Sequence, residues 1–353
     1  MWLRFTPSSR EALTHTNLSA VRSDGPVLWV AGDETATVER LVADDEQTPQ
    51  EYAGQVTFRL ADLVTLPGPY ADEEADIEGL ARSGDFLWAV GSHSLRRKRI
   101  KAKHMGAKAL ERLARVEGQA NRQILVRIPV VDVEGLPALV RETVVGGEPV
   151  RAAVFGFPGH DLRDLLADDP HLGPFLAIPG KDNGLDIEGI AVAGDRVYLG
   201  LRGPVLRGWA FVLELRPRVD ALGPGRLALT AFPDGRVYRK HVLDLDGLGV
   251  RDLCPVGEDL LVLAGPTMAL DGPVRVYRWR GAARAEVAEV VRGEALVREV
   301  DLPHGVLQDR AEGIGLHGPP DDLRLIVVYD NPSPARLATE DTVLADVVVL
   351  PRR

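Results

Sequence analysis

The chain has 353 residues, of which 45% are hydrophobic and 27% charged, and its formal net charge is −10. This composition is typical of a folded protein with a core, and the acidic balance argues against general nucleic-acid binding. The single cysteine, Cys254, excludes an intrachain disulfide and a cysteine-based zinc cluster. Because we find neither the apolar core of a signal peptide nor a membrane-spanning run, we expect a soluble protein of the reducing cytoplasm without a membrane partner.

A short segment recurs along the chain. Each copy contains a strand-like run, a turn rich in Gly and Asp, and a second strand-like run. The copies begin at Ser19, Glu78, Glu188, Asp252 and Glu312. In the first four copies the tenth residue after the start is a large hydrophobic residue of the second run, such as Trp29 or Trp88. This pattern is typical of a β-hairpin.

Further strand-like runs lie between the copies, for example at 56–60, 123–128, 210–215 and 274–279. A hairpin with two outer strands makes a four-stranded propeller blade. The sequence therefore predicts an all-β fold, with one β-propeller of about five blades over residues 1–353. Six blades is the alternative, because the interval between the second and third copies is nearly twice as long as the others. A β-sandwich with coincidental spacing is a further alternative.

We interpret the long interval as insertions in the second blade, at 95–122 and 158–182. The run 107–115 and the run 161–168 have the composition and spacing of helices. At the end of the chain, the run 343–350 predicts a strand. The run 2–5 could pair beside it and close the ring, which removes exposed sheet edges.

The hairpin geometry predicts where a site lies. Because paired strands are antiparallel, the first strand starts where the second strand ends, and in a propeller these edges share one face. The acidic strand starts, including Asp76 and Asp186, should then converge near the axis. We predict Glu78, Glu188, Glu312 and His93 as catalytic residues. We predict Glu78, Glu188, Asp252 and Glu312 as metal ligands. We predict Arg202, Arg251, Arg310, Asp330 and Asn331 as ligand-binding residues.

The repulsion between converging carboxylates can be relieved in several ways. A hard cation such as Ca²⁺, the one cofactor we consider, can neutralise them. Arginines can instead pair with some carboxylates while crowding raises the pKa of others, which leaves a general acid or base. The carboxylates can also simply bond to backbone amides of neighbouring blades and fix the ring. His93 is either a proton-transfer group or a hydrogen-bonding residue.

Residues 96–115 reverse the charge of the chain, with nine Lys and Arg residues against Glu111 alone. The run follows His93 directly, so it begins on the predicted face. It could steer a small anionic ligand or nucleic acid, or it could be a solvated helix or loop. The G-x-S-x-G and H-E-x-x-H signatures are missing from the sequence.

Four motifs carry a family resemblance: Asp76–Ala81, Gly91–Ser94, Asp186–Ala191 and Gly200–Pro204. Together they resemble a bacterial family of unknown function that is marked by a GLRGP motif, over nearly the whole chain. More distantly, the repeated E-G-[IL]-A strand starts are similar to those of esterase-like phytase propellers. That similarity implies calcium and the hydrolysis of phosphates or esters, but it transfers no catalytic residue. The chain departs from the pattern at Ser19 and Asp252, where the other copies have Glu.

Two main functions compete, and the sequence leaves open whether the chain is an enzyme. The first is a metal-assisted hydrolase of a small anionic ester or phosphate at the acidic axial site. The second is a non-catalytic propeller that binds a ligand or protein on the same face. Nucleic-acid association through 96–115 is a third hypothesis, and the oligomeric state stays open.

Overall fold

The computed structural model describes residues 1–70, 73–221, 223–318 and 322–351. The helices are α1 (Pro7–Glu11), α2 (Leu60–Leu63), α3 (Gly106–Ala114) and α4 (Leu162–Leu166). Short 3₁₀ turns are Thr14–Thr16, Ala120–Arg122, Gly173–Phe175, Gly180–Asp182, Ala282–Arg284, Gly293–Ala295 and Pro334–Arg336. Within these described residues, no helix has the length and apolar character needed to cross a lipid bilayer.

Strands make up most of the regular structure. The first fourteen are β1 (Trp2–Arg4), β2 (Leu18–Asp24), β3 (Val27–Gly32), β4 (Thr37–Ala43), β5 (Glu51–Arg59), β6 (Ile77–Ser83), β7 (Phe86–Gly91), β8 (Arg96–Arg97), β9 (Val116–Glu117), β10 (Leu125–Val133), β11 (Leu136–Leu139), β12 (Glu142–Val145), β13 (Glu148–Arg151) and β14 (Ala153–Phe155). The others are β15 (Asp186–Ala193), β16 (Arg196–Leu206), β17 (Trp209–Leu215), β18 (Pro217–Asp220), β19 (Gly223–Leu229), β20 (Tyr238–Asp244), β21 (Gly249–Val256), β22 (Asp259–Gly265), β23 (Val274–Trp279), β24 (Val290–Val291), β25 (Leu296–Leu302), β26 (Arg310–His317), β27 (Arg324–Asp330), β28 (Leu337–Thr339), β29 (Thr342–Leu344) and β30 (Asp346–Val349).

The larger sheets each begin with one predicted hairpin. Their strand orders start β2-β3-β4-β5, β6-β7-β10-β14, β15-β16-β17-β20, β21-β22-β23-β25 and β26-β27-β30. The first strands pack against one another in sequence. β2 contacts β6 and β26, β15 contacts β6 and β21, and β21 contacts β26. These contacts close a ring, so the fold is all-β and propeller-like, as the sequence predicted.

Each first strand carries a β-bulge at the same place. The residues left without a cross-strand partner are Ser19, Glu78, Glu188, Arg251 and Glu312. A bulge re-aims the extra side chain, so these five side chains form a set around the ring. In the fourth strand the bulged residue is Arg251, because Val250 pairs with Ala264 and Asp252 with Leu263. The sequence alignment of Asp252 with the three glutamates was therefore wrong by one residue.

The two ends of the chain meet in the first sheet. β1 pairs parallel with β5 and antiparallel with β29, and the amino group of Met1 donates to the carbonyl of Ala345 at 3.1 Å. The run 2–5 thus pairs beside the C-terminal segment as expected. The predicted strand 343–350 is divided, however, because β29 joins the first sheet and β30 pairs with β27 in the fifth.

The long interval contributes peripheral structure. β14 extends the second sheet and pairs parallel with β19. The hairpin β18–β19 follows the third predicted hairpin, β15–β16, in the chain, but this pairing adds it to the second sheet. α3 begins one residue before the helical run predicted at 107–115 and ends within it, and α4 lies within the run predicted at 161–168. The boundaries of the two insertions, 95–122 and 158–182, stay an interpretation.

The core lies between neighbouring sheets. The strands of the predicted hairpins are covered on both faces, which explains their continuous apolar runs. In β3, for example, every residue is buried. Between the third and fourth sheets, Tyr198 meets Trp279 edge to face at 6.2 Å, an arrangement that aromatic rings favour. Cys254 lies in the core, where burial raises its thiol pKa to about 11 and keeps the thiol protonated.

The middle of the ring is filled by Arg22 from β2. Its guanidinium bonds both carboxylate oxygens of Asp252, at 2.9 and 2.8 Å. It also donates to backbone carbonyls of β15, β21 and β26, including that of Leu253 at 2.6 Å. One buried side chain thereby links four of the five sheets.

Candidate functional site

A cavity of about 530 Å³ opens at the edge of the ring where the first strands begin. Each of the five larger sheets contributes to its wall. Charged residues of the wall include Asp33, Asp76, Glu78, Arg122, Lys181, Asp186, Arg202, Arg251, Arg310 and Glu312. The structure thus brings acidic strand starts and arginines from distant parts of the chain to one place, as the hairpin geometry predicted.

One side of the cavity holds three carboxylates. Asp33, Asp76 and Glu78 each offer an oxygen, and these oxygens all lie within 4.8 Å of one another. Arg122 pairs with Asp76. In the described part of the chain, Glu78 has no hydrogen-bond or ion-pair partner, and Oδ1 of Asp33 is buried without one.

This crowding changes the proton affinity of the group. Burial, together with the charge of Asp76, raises the pKa of Asp33 to about 8. Burial and the neighbouring Asp76 and Glu188 also raise the pKa of Glu78 well above its usual value. Arg122 alone cannot balance three carboxylates, so the group must take up protons or a cation.

The other side of the cavity holds an ion-pair network. Glu188 accepts from Arg202 at 2.7 Å and from Arg251 at 2.7 Å, and Arg251 also reaches Glu312 at 2.9 Å. Burial opposes ionisation of Glu188, but the two arginines outweigh it and keep its pKa low. At Glu312, burial prevails over the attraction of Arg251, and its pKa rises to about 7. Glu188 is therefore a fixed carboxylate that the arginines already neutralise.

Asp186 lies between these two sides. Its side chain lines the cavity and the residue is only 4% exposed, yet among the residues described it has no hydrogen-bond or ion-pair partner. Burial and the nearby charge of Glu188 raise its pKa to about 7. A carboxyl group with this pKa can accept or donate a proton near neutral pH.

Three residues predicted as catalytic residues or metal ligands are not part of the cavity wall: Glu188, which Arg202 and Arg251 hold, Asp252 and His93. Asp252 is fully buried and committed to Arg22 and to the backbone amides of Ile314 and Leu253, so it cannot serve as a metal ligand there. His93 is also fully buried, and its Nδ1 bonds the carbonyl of Gly91 at 2.8 Å. Burial lowers the pKa of His93 to about 4, so the ring is neutral and faces the interior.

The predicted residues of the fifth hairpin are only partly at the site. Arg310 lines the cavity and lies 3.6 Å from Asp330. Asp330 and Asn331 stand outside the wall. Nδ2 of Asn331 donates to the carbonyl of Leu307, which ties two loops together. The structure gives Asn331 a contact between loops and no direct access to the cavity.

Sequence reasoning assigned no role to Asp33, Arg122 or Lys181. Asp33 follows the second strand of the first hairpin, so the edge argument that selected Asp330 also put Asp33 on the predicted face, but without a role. Arg122 and Lys181 lie in 3₁₀ turns inside the two predicted insertions. No repeat register covers those segments, so nothing in the sequence pattern places these two cations at the axis.

Comparisons with known proteins give one family match. The model of the family described as "Protein of unknown function (DUF3616)" matches residues 17–346. The search of curated proteins finds no match.

Two solved structures are similar over most of the chain. Hydrazine synthase of Kuenenia stuttgartiensis is 10% identical over 95% of this chain, with a TM-score of 0.33, and the chain spans 63% of its length. A Bacteroides uniformis protein described as a "putative 6-phosphogluconolactonase" is 13% identical over 93% of this chain and 73% of its own, with a TM-score of 0.31. At these scores neither likeness bears on function.

Proposed function

Because the chain belongs to the family described as "Protein of unknown function (DUF3616)", we propose its function from the cavity alone. We propose a cation-assisted hydrolase of a small anionic ester or phosphate, built on a five-bladed β-propeller. The observation that carries this proposal is the group of three carboxylates, Asp33, Asp76 and Glu78, in a cavity that also presents cationic side chains.

A hard cation fits this group. Ca²⁺ accepts several oxygen ligands in irregular geometry, and the carboxylates of Asp33, Asp76 and Glu78 are the ligands it prefers. The uncompensated charge of the group and the partnerless, buried Oδ1 of Asp33 both suit coordination of a cation. When bound, the cation would polarise the ester or phosphoryl oxygen and make a bound water more acidic.

The other residues of the cavity have separate tasks. Lys181 is exposed at the wall and has no ion pair in the described part of the chain, so it can meet the anionic group of a substrate. Arg202 and Arg251, which both pair with Glu188, offset carboxylate charge on that side. Asp186 accepts the proton of the attacking water. His93 has no task in this scheme.

Further features agree with this proposal. One blade for each sheet of the ring gives five blades. The resemblance of the strand starts at Glu78, Glu188 and Glu312 to esterase-like phytase propellers favours calcium and phosphate-ester chemistry. The one buried thiol suits a reducing compartment, and we keep the cytoplasm as the proposed location.

A non-catalytic role in ligand binding is the second candidate. This candidate is supported by the ion pairs of Glu188 with Arg202 and of Glu312 with Arg251. Because these two carboxylates are paired, they are not free to bind a cation or to take part in catalysis. In this role the same cavity would bind an anionic molecule without turnover.

Calcium titration tests the cation site. We expect isothermal titration calorimetry to show Ca²⁺ binding to the wild type, and Glu78→Gln or Asp33→Asn to weaken it at least about 10-fold because each removes an anionic ligand. Glu148→Gln, at an exposed position of β13, is the matched control and should bind as the wild type does. A wild type that binds no divalent cation would contradict the proposal.

Hydrolysis separates the two candidate functions. We expect turnover of chromogenic phosphate or carboxylate esters with Ca²⁺ and none with chelator. Asp186→Asn should lower kcat at least about 100-fold, the usual contribution of a general base, while Ca²⁺ affinity stays unchanged. Calcium binding without turnover of any ester would support the binding role instead.

A further inference from the structure

A basic arm, residues 96–117, projects from the face that carries the cavity. Its base is the short ladder in which Arg96 pairs with Glu117 and Arg97 with Val116, and its outer part contains α3. The first residues of the arm line the cavity, whereas no residue of α3 is buried. The arm therefore stands in solvent beside the cavity mouth.

α3 has two distinct faces. At 100° per residue, Ala109, Leu110, Leu113 and Ala114 fall on one side, and Lys108, Glu111 and Arg112 on the other. The apolar side is only partly covered by the protein, because Leu110 is 69% exposed and Leu113, which lines the cavity, is 41% exposed. In the loop before the helix, Met105 is 81% exposed and Ile100 46%. A surface of this kind requires a partner.

The arm is also a cation-rich surface. Arg96, Arg97, Lys98 and Arg115 form ion pairs. In the described ranges the remaining cations have no acidic partner within 4.0 Å; they are Arg99, Lys101, Lys103, Lys108 and Arg112. Because charges in solution are screened beyond about 8–10 Å, the arm presents its own positive charge although the chain is acidic.

Apolar residues continue around the cavity mouth. Met268 and Leu270 from one loop and Leu307 from another line the mouth, and they are 41%, 62% and 65% exposed. Arg202 holds the first loop through the carbonyls of Thr267 and Met268. The apolar side chains of the arm and of this rim thus share the face of the cavity.

We propose that the basic arm and the apolar rim dock this face onto a bilayer surface that contains anionic phospholipid. A basic amphipathic helix with unpacked Leu side chains is the structure that lies in a lipid interface. Nucleic acid would use the cations but would leave Leu110 and Met105 in water. The expectation of no membrane partner rested on the lack of a spanning segment, and surface docking does not need one.

Vesicle sedimentation with the full chain in chelator tests this proposal. We expect the protein to pellet with vesicles of phosphatidylcholine and phosphatidylglycerol, and not with phosphatidylcholine alone, and to be released by salt. Lys103→Glu with Lys108→Glu should weaken binding at least about 30-fold, which corresponds to the loss of two basic contacts. Leu110→Ser should weaken it about 10-fold.

Matched controls come from exposed positions outside the face. Val144→Ser, where Val144 is 66% exposed on β12, and Arg292→Glu should bind vesicles as the wild type does. Thermal unfolding should show all variants folded, because the substituted side chains are exposed. Glu78→Gln should also dock, so failure of the cation site and failure of docking are distinguishable.

Three results would overturn the proposal. One is a wild type that stays in the supernatant with anionic vesicles. Another is binding to a single-stranded oligonucleotide without binding to vesicles, which would assign the arm to nucleic acid. The third is a dimer, seen by sedimentation velocity and dissociated by Leu110→Ser, in a protein that ignores vesicles.

Discussion

Arg22 occupies a position where only one large side chain fits. By the register of the bulges, the corresponding residues of the other first strands are small: Ala81, Ala191, Cys254 and Gly315. Asp252 likewise corresponds to Ala20, Gly79, Gly189 and Gly313. The small residues leave room at the centre of the ring for one arginine and one aspartate, whose charges are buried together.

Removal of Arg22 should cost much of the stability of the protein. We expect Arg22→Met to lower the free energy of unfolding by about 3–5 kcal/mol, because Asp252 is then a buried charge without an ion-pair partner and keeps only its two backbone amide donors. Adding Asp252→Asn to Arg22→Met should restore a substantial part of the lost free energy of unfolding, since it removes the buried charge of Asp252. Urea unfolding measures both. A double variant no more stable than Arg22→Met would show that the two residues do not act as a pair.

At this scale, the sequence could predict residue classes and not their contacts. Glu78, Glu312, Arg202 and Arg251 were selected because they start or follow strands, and they do line the cavity. Asp252 was misaligned because Leu261 and Val262 are both hydrophobic, so a spacing of ten residues fits a start at Arg251 as well as a start at Asp252. Which arginine neutralises which carboxylate depends on side-chain reach across the ring, and no local pattern encodes that.

The strands at the two chain ends are the elements that join the ring. β29 carries Val343, which is buried against Leu3 and Ile326, and β30 continues into the fifth sheet. Two sheets are therefore held by residues from opposite ends of the chain. This arrangement makes the closing strands a structural necessity, because without them the first and fifth sheets lose their shared segment.

A charge in the closing strand should open this junction. We expect Val343→Asp to lower the free energy of unfolding by about 3 kcal/mol, because a carboxylate would replace a methyl pair in the core. Val349→Asp, at a position 60% exposed in β30, should change it by less than about 0.5 kcal/mol. Guanidinium unfolding compares the two. Equal effects would mean that the closing strand contributes no more than the exposed edge.

Among the elements, the hairpins and the helix α3 could be read from spacing and composition because their contacts are local. The division of the C-terminal run at Ala345 could not, since both halves have the same strand propensity and only their distant partners differ. The hairpin β18–β19 was missed for the same reason. It follows the third predicted hairpin in the chain but joins the second sheet, through a single parallel pairing of Val154 with Arg226.

At the scale of the whole molecule, the ring concentrates negative charge. Asp33, Glu78, Asp186 and Glu312 come from four different sheets, and each has a raised pKa. Folding thus brings together carboxylates that repel one another, and bulges aim two of them, Glu78 and Glu312, inward. The acidic composition of the chain is in part the charge of this cavity, which a cation or protons must balance in the folded state.

The pH dependence of stability should report this concentration of charge. Asp186 has a pKa of about 7 in the folded state, against about 3.9 for an aspartate in an unfolded chain. Between these values the folded state holds a proton that the unfolded state has released, so the contribution of Asp186 to stability falls as the pH rises from about 4 to about 7. The substitution Asp186→Asn removes this pH-dependent loss of stability, because an amide does not ionise.

We therefore expect Asp186→Asn and the wild type to have similar free energies of unfolding near pH 4 in chelator. The variant should become the more stable protein as the pH rises, by on the order of 1–3 kcal/mol at pH 8. Asp168→Asn, at an exposed position after α4, should differ from the wild type by the same small amount at every pH. Urea unfolding across this range measures the three proteins. A difference between Asp186→Asn and the wild type that does not change with pH would mean that Asp186 ionises freely, and that the ring does not force its carboxylates to share protons.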